Sequence, residues 1–144
     1  MKIDILCEGR LNKGLENELC EMYIKRTIMI RKSGISKIEI KKISDHRNYK
    51  IKKNELTKNF ILDEQGVNIN SIEFFKKITV YNNEGIKLIN FFIGKPKGYM
   101  QNTHKFEKLS LGNMTFSHSL ARVILCEQIY RCATMKVNHP YHKA

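Results

Sequence analysis

No apolar run in this 144-residue chain approaches the roughly 20 residues that a bilayer-spanning helix needs. The opening residues Met1-Lys2-Ile3-Asp4-Ile5-Leu6 alternate in polarity and do not form the apolar block of a secretory signal, so a soluble cytoplasmic protein is expected. Cys7, Cys20, Cys126 and Cys132 contain no Cys-x-x-Cys pair and no zinc-ligand spacing, and reduced core thiols are the expected state. Internal repeats, low-complexity segments and linkers are lacking too, which makes residues 1–144 one domain, long enough to bury a real core. Acidic residues are scarce, 14 against 26 basic ones, for a net charge of +12. That balance favours a polyanionic partner, RNA or DNA ahead of a membrane surface. Alanine is rare as well (Ala121, Ala133, Ala144) beside abundant Lys, Ile and Asn. An AT-rich coding sequence produces that composition, and it accounts for part of the charge.

Hydrophobic periodicity predicts strands alternating with helices. Lys2–Glu8 reads as a short buried strand ending at Gly9, and residues 12 to about 29 carry Leu15, Leu19, Met22 and Tyr23 at helical spacing. Lys37–Ile43 alternates as a strand does. Asp45–Lys58, the most polar and basic stretch, is expected as a loop with a helical turn. Phe60–Asp63 is a short strand expected to stop at Glu64-Gln65-Gly66, and Ser71–Tyr81 an amphipathic helix before the Asn82–Gly85 turn. Lys87–Ile93 is mostly apolar, as a strand covered on both faces of a parallel sheet should be. Phe106–Leu111 is another strand, and Ser117 is a plausible N-cap for a helix running to about Lys136, terminated by Asn138 and Pro140. The fold class is therefore α/β with a largely parallel sheet. The last helix is apolar on more than one face, so it is either central in its own core or shared across a two-fold dimer.

Ligands in open α/β sheets bind outside the carboxyl ends of the strands. Three loops qualify: after Leu62, at Gly94–Gly98 and at Gly112–Phe116. The Gly94–Gly98 loop matches neither Gly-x-x-x-x-Gly-Lys-Ser/Thr nor Gly-x-Gly-x-x-Gly, so a nucleotide site of the usual kinds is unsupported. The most informative segment is Asn138-His139-Pro140-Tyr141-His142-Lys143-Ala144. It is rich in titratable and aromatic groups where chain ends are ordinarily bland. His139 and His142 stand three apart, but Pro140 breaks the helical geometry that would align them and no acidic or thiol partner is near, so no metal site is expected. Glu127, Arg122 and Arg131 on the last helix read from spacing alone as solvated charges or an interface salt bridge.

Phe91-Phe92-Ile93-Gly94, the Leu109–His118 run, Arg122–Arg131 and the closing Asn-His-Pro-Tyr-His together resemble the RlmH family. These are SPOUT-class methyltransferases acting on N3 of a pseudouridine in large-subunit ribosomal RNA. The likeness is strong over residues 60–144 and weakens in the first half to the opening strand and overall length. It implies a homodimer whose C-terminal part forms a trefoil knot that binds S-adenosyl-L-methionine. Carried over by matching position, Leu62, Gly94 and Leu111, Gly112, Asn113, Met114, Thr115 and Phe116 would contact the cofactor. Tyr141, His142 and Lys143 would help form the active site. His142 is the first candidate for proton handling or for orienting the target base, and Glu127 a weaker one. Tyr141 would stack on or hydrogen-bond the flipped base, and Lys143, Arg122 and Lys95 would face RNA.

The chain departs from the family in its middle loop, where Lys95 and Lys97 replace a glycine and an acidic residue. Ser117 stands at a common proline, and Lys143 at a common arginine, keeping the charge and losing bidentate phosphate recognition. Two alternatives follow: a ribosome- or RNA-binding protein that has lost methyl transfer through the Lys95 change, or a SPOUT methyltransferase acting on another RNA such as transfer RNA.

Overall fold

A computed structural model describes residues 1–9, 11, 13–44, 49, 54–94 and 106–143. In chain order the elements are β1 (Lys2–Glu8), α1 (Leu15–Met29), a 3₁₀ turn (Arg31–Ser33), β2 (Lys37–Ile43), β3 (Thr57–Asn68), α2 (Ser71–Asn83), β4 (Leu88–Ile93), β5 (Glu107–Ser110) and α3 (His118–Lys136). The strands form one sheet in the order β2-β1-β4-β3-β5, and every pairing is parallel. Their carboxyl ends consequently lie along a single edge.

Each helix forms for a local reason. In α1, Glu16 and Glu18 in the first turn and Arg26 in the last complement the helix dipole. At the start of α2, Asn70 accepts from the Glu73 N–H at 2.9 Å while Glu73 accepts from the Asn70 N–H at 2.7 Å, a capping box. Ser117 caps α3 as expected, accepting from Leu120 N–H at 3.4 Å.

Period-2 alternation gives the sheet two different faces. Ile3, Ile5 and Cys7 of β1 join Phe60, Ile89 and Phe91 beneath the helices, packing against Cys20 of α1, Phe74 and Ile78 of α2, and Leu125, Cys126 and Ile129 of α3. Leu6, Ile43, Ile61 and Phe92 bury on the opposite face, where Tyr49 and Phe106 cover them. The broad apolarity of α3 has its explanation here, because the helix packs against both α1 and α2 and against β4. A partner subunit is not needed to account for it.

Most of the expected Asp45–Lys58 loop lies outside the described residues, but Thr57 and Lys58 already belong to β3. The largest departure from expectation is in β3 itself, which does not stop at Glu64-Gln65-Gly66. Leu62 and Val67 both pair with Leu109, so Asp63–Gly66 forms an excursion from the ladder, after which the strand resumes to Asn68 beside Ser110. The four cysteines are free and buried, as expected. Among the described residues no helix is long and apolar enough to cross a membrane. The expected knot depends on the path of residues 95–105, which lie outside the described residues.

Candidate functional site

The carboxyl edge of the sheet gathers the residues expected to contact a cofactor. Gly94 is buried directly after β4, and Leu62 is half-buried against the core at the start of the β3 excursion. Residues 111–116 follow β5. Gly112 has φ +148°, a backbone conformation that side-chain-bearing residues rarely adopt. Its N–H donates to Ser110 Oγ at 3.2 Å while the same hydroxyl donates to Gly112 O at 2.7 Å.

Two side-chain bonds tie this loop to the β3 excursion. Asn68 Nδ2 donates to Asn113 Oδ1 at 3.2 Å, and the Thr115 hydroxyl donates to the Glu64 carboxylate. Met114 projects into solvent, 74% exposed, and Phe116 is half-buried. Beside the loop opens a cavity of about 270 Å³. Its apolar wall includes Ile69, Phe74, Leu109, Leu111 and Ile124, and Asn70, Ser71, Ser110 and Gln128 supply its polar groups. The cavity thus sets an apolar wall beside a few hydrogen-bonding groups, the general make-up of a small-molecule site. Lys95, expected near this edge, lies outside the described residues.

The 138–143 segment folds back along α3 because of how that helix ends. Asn138 takes φ +56°, its N–H bonds Met135 O at 3.2 Å, and the His139 N–H bonds Thr134 O at 2.9 Å. This pair of bonds around a left-handed residue is the Schellman pattern, with asparagine in place of the usual glycine. After Pro140 the chain returns towards Glu127. Tyr141 Oη donates to Glu127 Oε1 at 2.9 Å, and its ring packs edge-on against Tyr130 at 4.7 Å. The Arg131 guanidinium covers the Tyr141 ring at 4.9 Å, donates from Nε to Glu127 Oε1 at 3.1 Å, and places Nη1 3.2 Å from His142 Nδ1. Burial and then the Glu127 carboxylate push the Tyr141 phenol well above its ordinary range.

These contacts define the expected catalytic residues more closely. Glu127 accepts from Tyr141, Arg131 and Gln128, so in this arrangement it holds the segment in place. The Tyr141 ring meets Tyr130 edge-on and carries the Arg131 guanidinium over it. A guanidinium has only donors, so His142 Nδ1 accepts and the neutral ring carries its proton on Nε2. Lys143 is exposed, whereas Arg122 is not.

Arg122, expected to face RNA, is only 3% exposed and points into the interior. A phosphate cannot reach it there without opening the helix layer. Its charge lies beside Cys7 and Cys20, and its Nε and Nη2 make no hydrogen bond. The Cys126 thiol's hydrogen bond, helped by Arg122, pulls Cys20 down to about 7 against the opposing effect of burial. Burial pushes Cys7 up to about 11.

The family model described as a predicted SPOUT methyltransferase matches residues 1–142. The chain belongs to the SPOUT methyltransferase family. SPOUT relatives align over essentially the whole chain. The ribosomal RNA large subunit methyltransferase H of Rhodopseudomonas palustris (strain BisA53) is 32% identical, covering 100% of each chain. The proteins of the same name from Flavobacterium psychrophilum and Bradyrhizobium sp. (strain ORS 278) are 34% and 33% identical, covering 99–100% of this chain and 99% of their own.

Residues that the sequence did not single out join this arrangement. Ser71 and Gln128 connect the cavity to Glu127, and Glu64 and Asn68 brace the loop after β5. The spacing of Glu127 and Arg131, four apart on one helix, is a local signal for their ion pair.

Proposed function

We propose that this SPOUT methyltransferase transfers a methyl group from S-adenosyl-L-methionine to N3 of a pseudouridine in large-subunit ribosomal RNA. The observation that supports the reading is the run of hydrogen bonds that links His142, through Arg131, Glu127 and Gln128, to a carboxyl-edge cavity. The names of the full-length relatives support the substrate, and the +12 net charge supports a polyanionic one.

When bound, the cofactor supplies an electrophilic methyl group carried on a sulfonium. The cavity walls would take its adenosine, with Leu62, Gly94 and the 111–116 loop approaching through backbone groups. The reacting nitrogen carries a proton at neutral pH, so the protein must orient the ring in line with the methyl and favour loss of that proton. With its proton on Nε2, His142 would donate a hydrogen bond to a ring carbonyl once the docking base uncovers that buried edge. That bond stabilises the negative charge left on the base when N3 gives up its proton to solvent water. Arg131, fixed by Glu127, holds the imidazole in that role. Lys143 and Lys95 would contact phosphates.

We further assign the protein to the cytoplasm as a homodimer acting on ribosomes. Leu15, Leu19 and Met29 of α1 are 76%, 42% and 73% exposed, and Leu120 of α3 is 50% exposed, apolar side chains that a second copy would cover.

The test is methyl transfer from labelled S-adenosyl-L-methionine to ribosomes lacking the modification, with the labelled nucleoside identified by mass. Label on pseudouridine N3 is the expected result. No transfer from a folded protein to intact ribosomes would overturn the reading in favour of an RNA-binding protein, and label on transfer RNA would change the substrate.

A further inference from the structure

The bonds between the cavity and His142 form an unbroken chain whose direction is set at every step. Ser71, the first residue of α2, and Gln128 of α3 both line the cavity, and Ser71 Oγ donates to Gln128 Oε1 at 2.7 Å. That bond fixes the side-chain amide with Nε2 towards Glu127 Oε2, to which it donates at 2.8 Å. A reversed amide would set its carbonyl against the carboxylate, so the orientation is not free. Glu127 Oε1 is then left to accept from Tyr141 and Arg131. Arg131 Nη1 in turn occupies His142 Nδ1. The far end of the chain is His142 Nε2, a buried atom with no hydrogen-bond partner. A buried polar atom left unpaired costs stability, so an arrangement that keeps one points to a group that arrives later.

We propose that Ser71 and Gln128 are positioning residues that transmit the state of the cavity to the tautomer and placement of the His142 imidazole. Ser71 keeps acceptor capacity and Gln128 a second amide hydrogen. A bound ring edge or ribose hydroxyl pairing with either one reinforces the directed form of the chain and so the hold on the imidazole. Its consequence for turnover rests on the methyl-transfer reading, whereas its effect on the imidazole does not.

The experiment uses the full chain with Gln128→Leu, Ser71→Ala and the double variant. Nitrogen-15 NMR of the imidazoles, with His142 assigned from His142→Asn, is recorded at a pH where the rings are neutral. The wild type is expected almost entirely in the Nε2–H tautomer, and Gln128→Leu in a mixture of both. With ribosomes and labelled S-adenosyl-L-methionine, Gln128→Leu is expected to lower kcat about tenfold, a larger change than any accompanying rise in KM for the cofactor. Ser71→Ala is expected to lower kcat about threefold, and the double variant to be no worse than Gln128→Leu alone, because both break the same chain. An unchanged His142 tautomer in both single variants overturns the proposal, as do strictly additive losses or a rise confined to KM. If the wild type itself transfers no methyl group, the methyl-transfer reading fails and the tautomer comparison still decides this one.

Discussion

At Gly66 the β3 backbone lies so close to β5 that an added Cβ would sit 2.7 Å from the Lys108 carbonyl carbon and 2.8 Å from Leu109 N. Both neighbours are backbone and cannot rotate away. Gly66→Ala should therefore destabilise the protein by about 1–3 kcal/mol, read as a lowered denaturant midpoint, while substitutions at exposed Met114 leave that midpoint unchanged. The buried thiols make a second prediction at this scale. Cys20 titrates near 7 when folded against an ordinary 9.0. A depressed folded value adds stability that is fully present above the unfolded value and is lost as pH falls through the folded one. Cys126 shifts the opposite way, raised by its bond to Cys20 and by burial, so it withdraws stability as pH rises past its ordinary range. Stability should thus rise between about pH 7 and 9, by at most roughly 2 kcal/mol. Cys20→Ser should abolish that rise in urea melts taken across the interval.

Among the elements, the turn that reverses the chain after α3 is both the most readable and the most consequential. Asn138 and Pro140 announce a helix stop in the sequence, and the structure supplies the reason, a left-handed residue bonded at both sides. Asparagine tolerates that conformation and β-branched residues do not. Asn138→Val should cost about 1–2 kcal/mol and release Tyr141 from Glu127, detectable as faster amide exchange at Tyr141 and His142. Asn138→Gly should leave both unchanged. The β3 excursion was unreadable for a matching reason. Glu64-Gln65-Gly66 has the composition of a turn, and only pairing with β5 reveals that the strand resumes. Similarly, Glu127, Tyr141 and His142 stood out by residue type, but the hydrogen bond from Ser71 to Gln128 spans 57 positions. No local pattern encodes such a contact. Arg122 was misplaced because helical spacing alone does not say which flank of a broadly apolar helix is covered.

For the molecule as a whole, alternation along each strand specified a layered α/β fold, and the three helices among the described residues pack into one core on the sheet. Charge acts at the same scale. With +12 spread over 144 residues, association with ribosomes should be dominated by displaced counterions. Raising monovalent salt from about 50 to 200 mM should weaken binding by roughly a hundredfold or more, measured by co-sedimentation. A salt-independent affinity would show that the charge is compositional bias without a role in recognition.

The excursion in β3 has one more consequence. Its two ends, Leu62 and Val67, meet the same residue of β5, so the loop between them is already closed by the sheet. An open loop surrenders conformational freedom when it wraps a ligand, and that loss weakens binding. Here the freedom was given up when the strands paired. Asp63–Gly66 can be arranged around an occupant at little further entropic cost, and changes at Asp63, Glu64 or Gln65 can retune recognition while the ladder that frames them keeps its register.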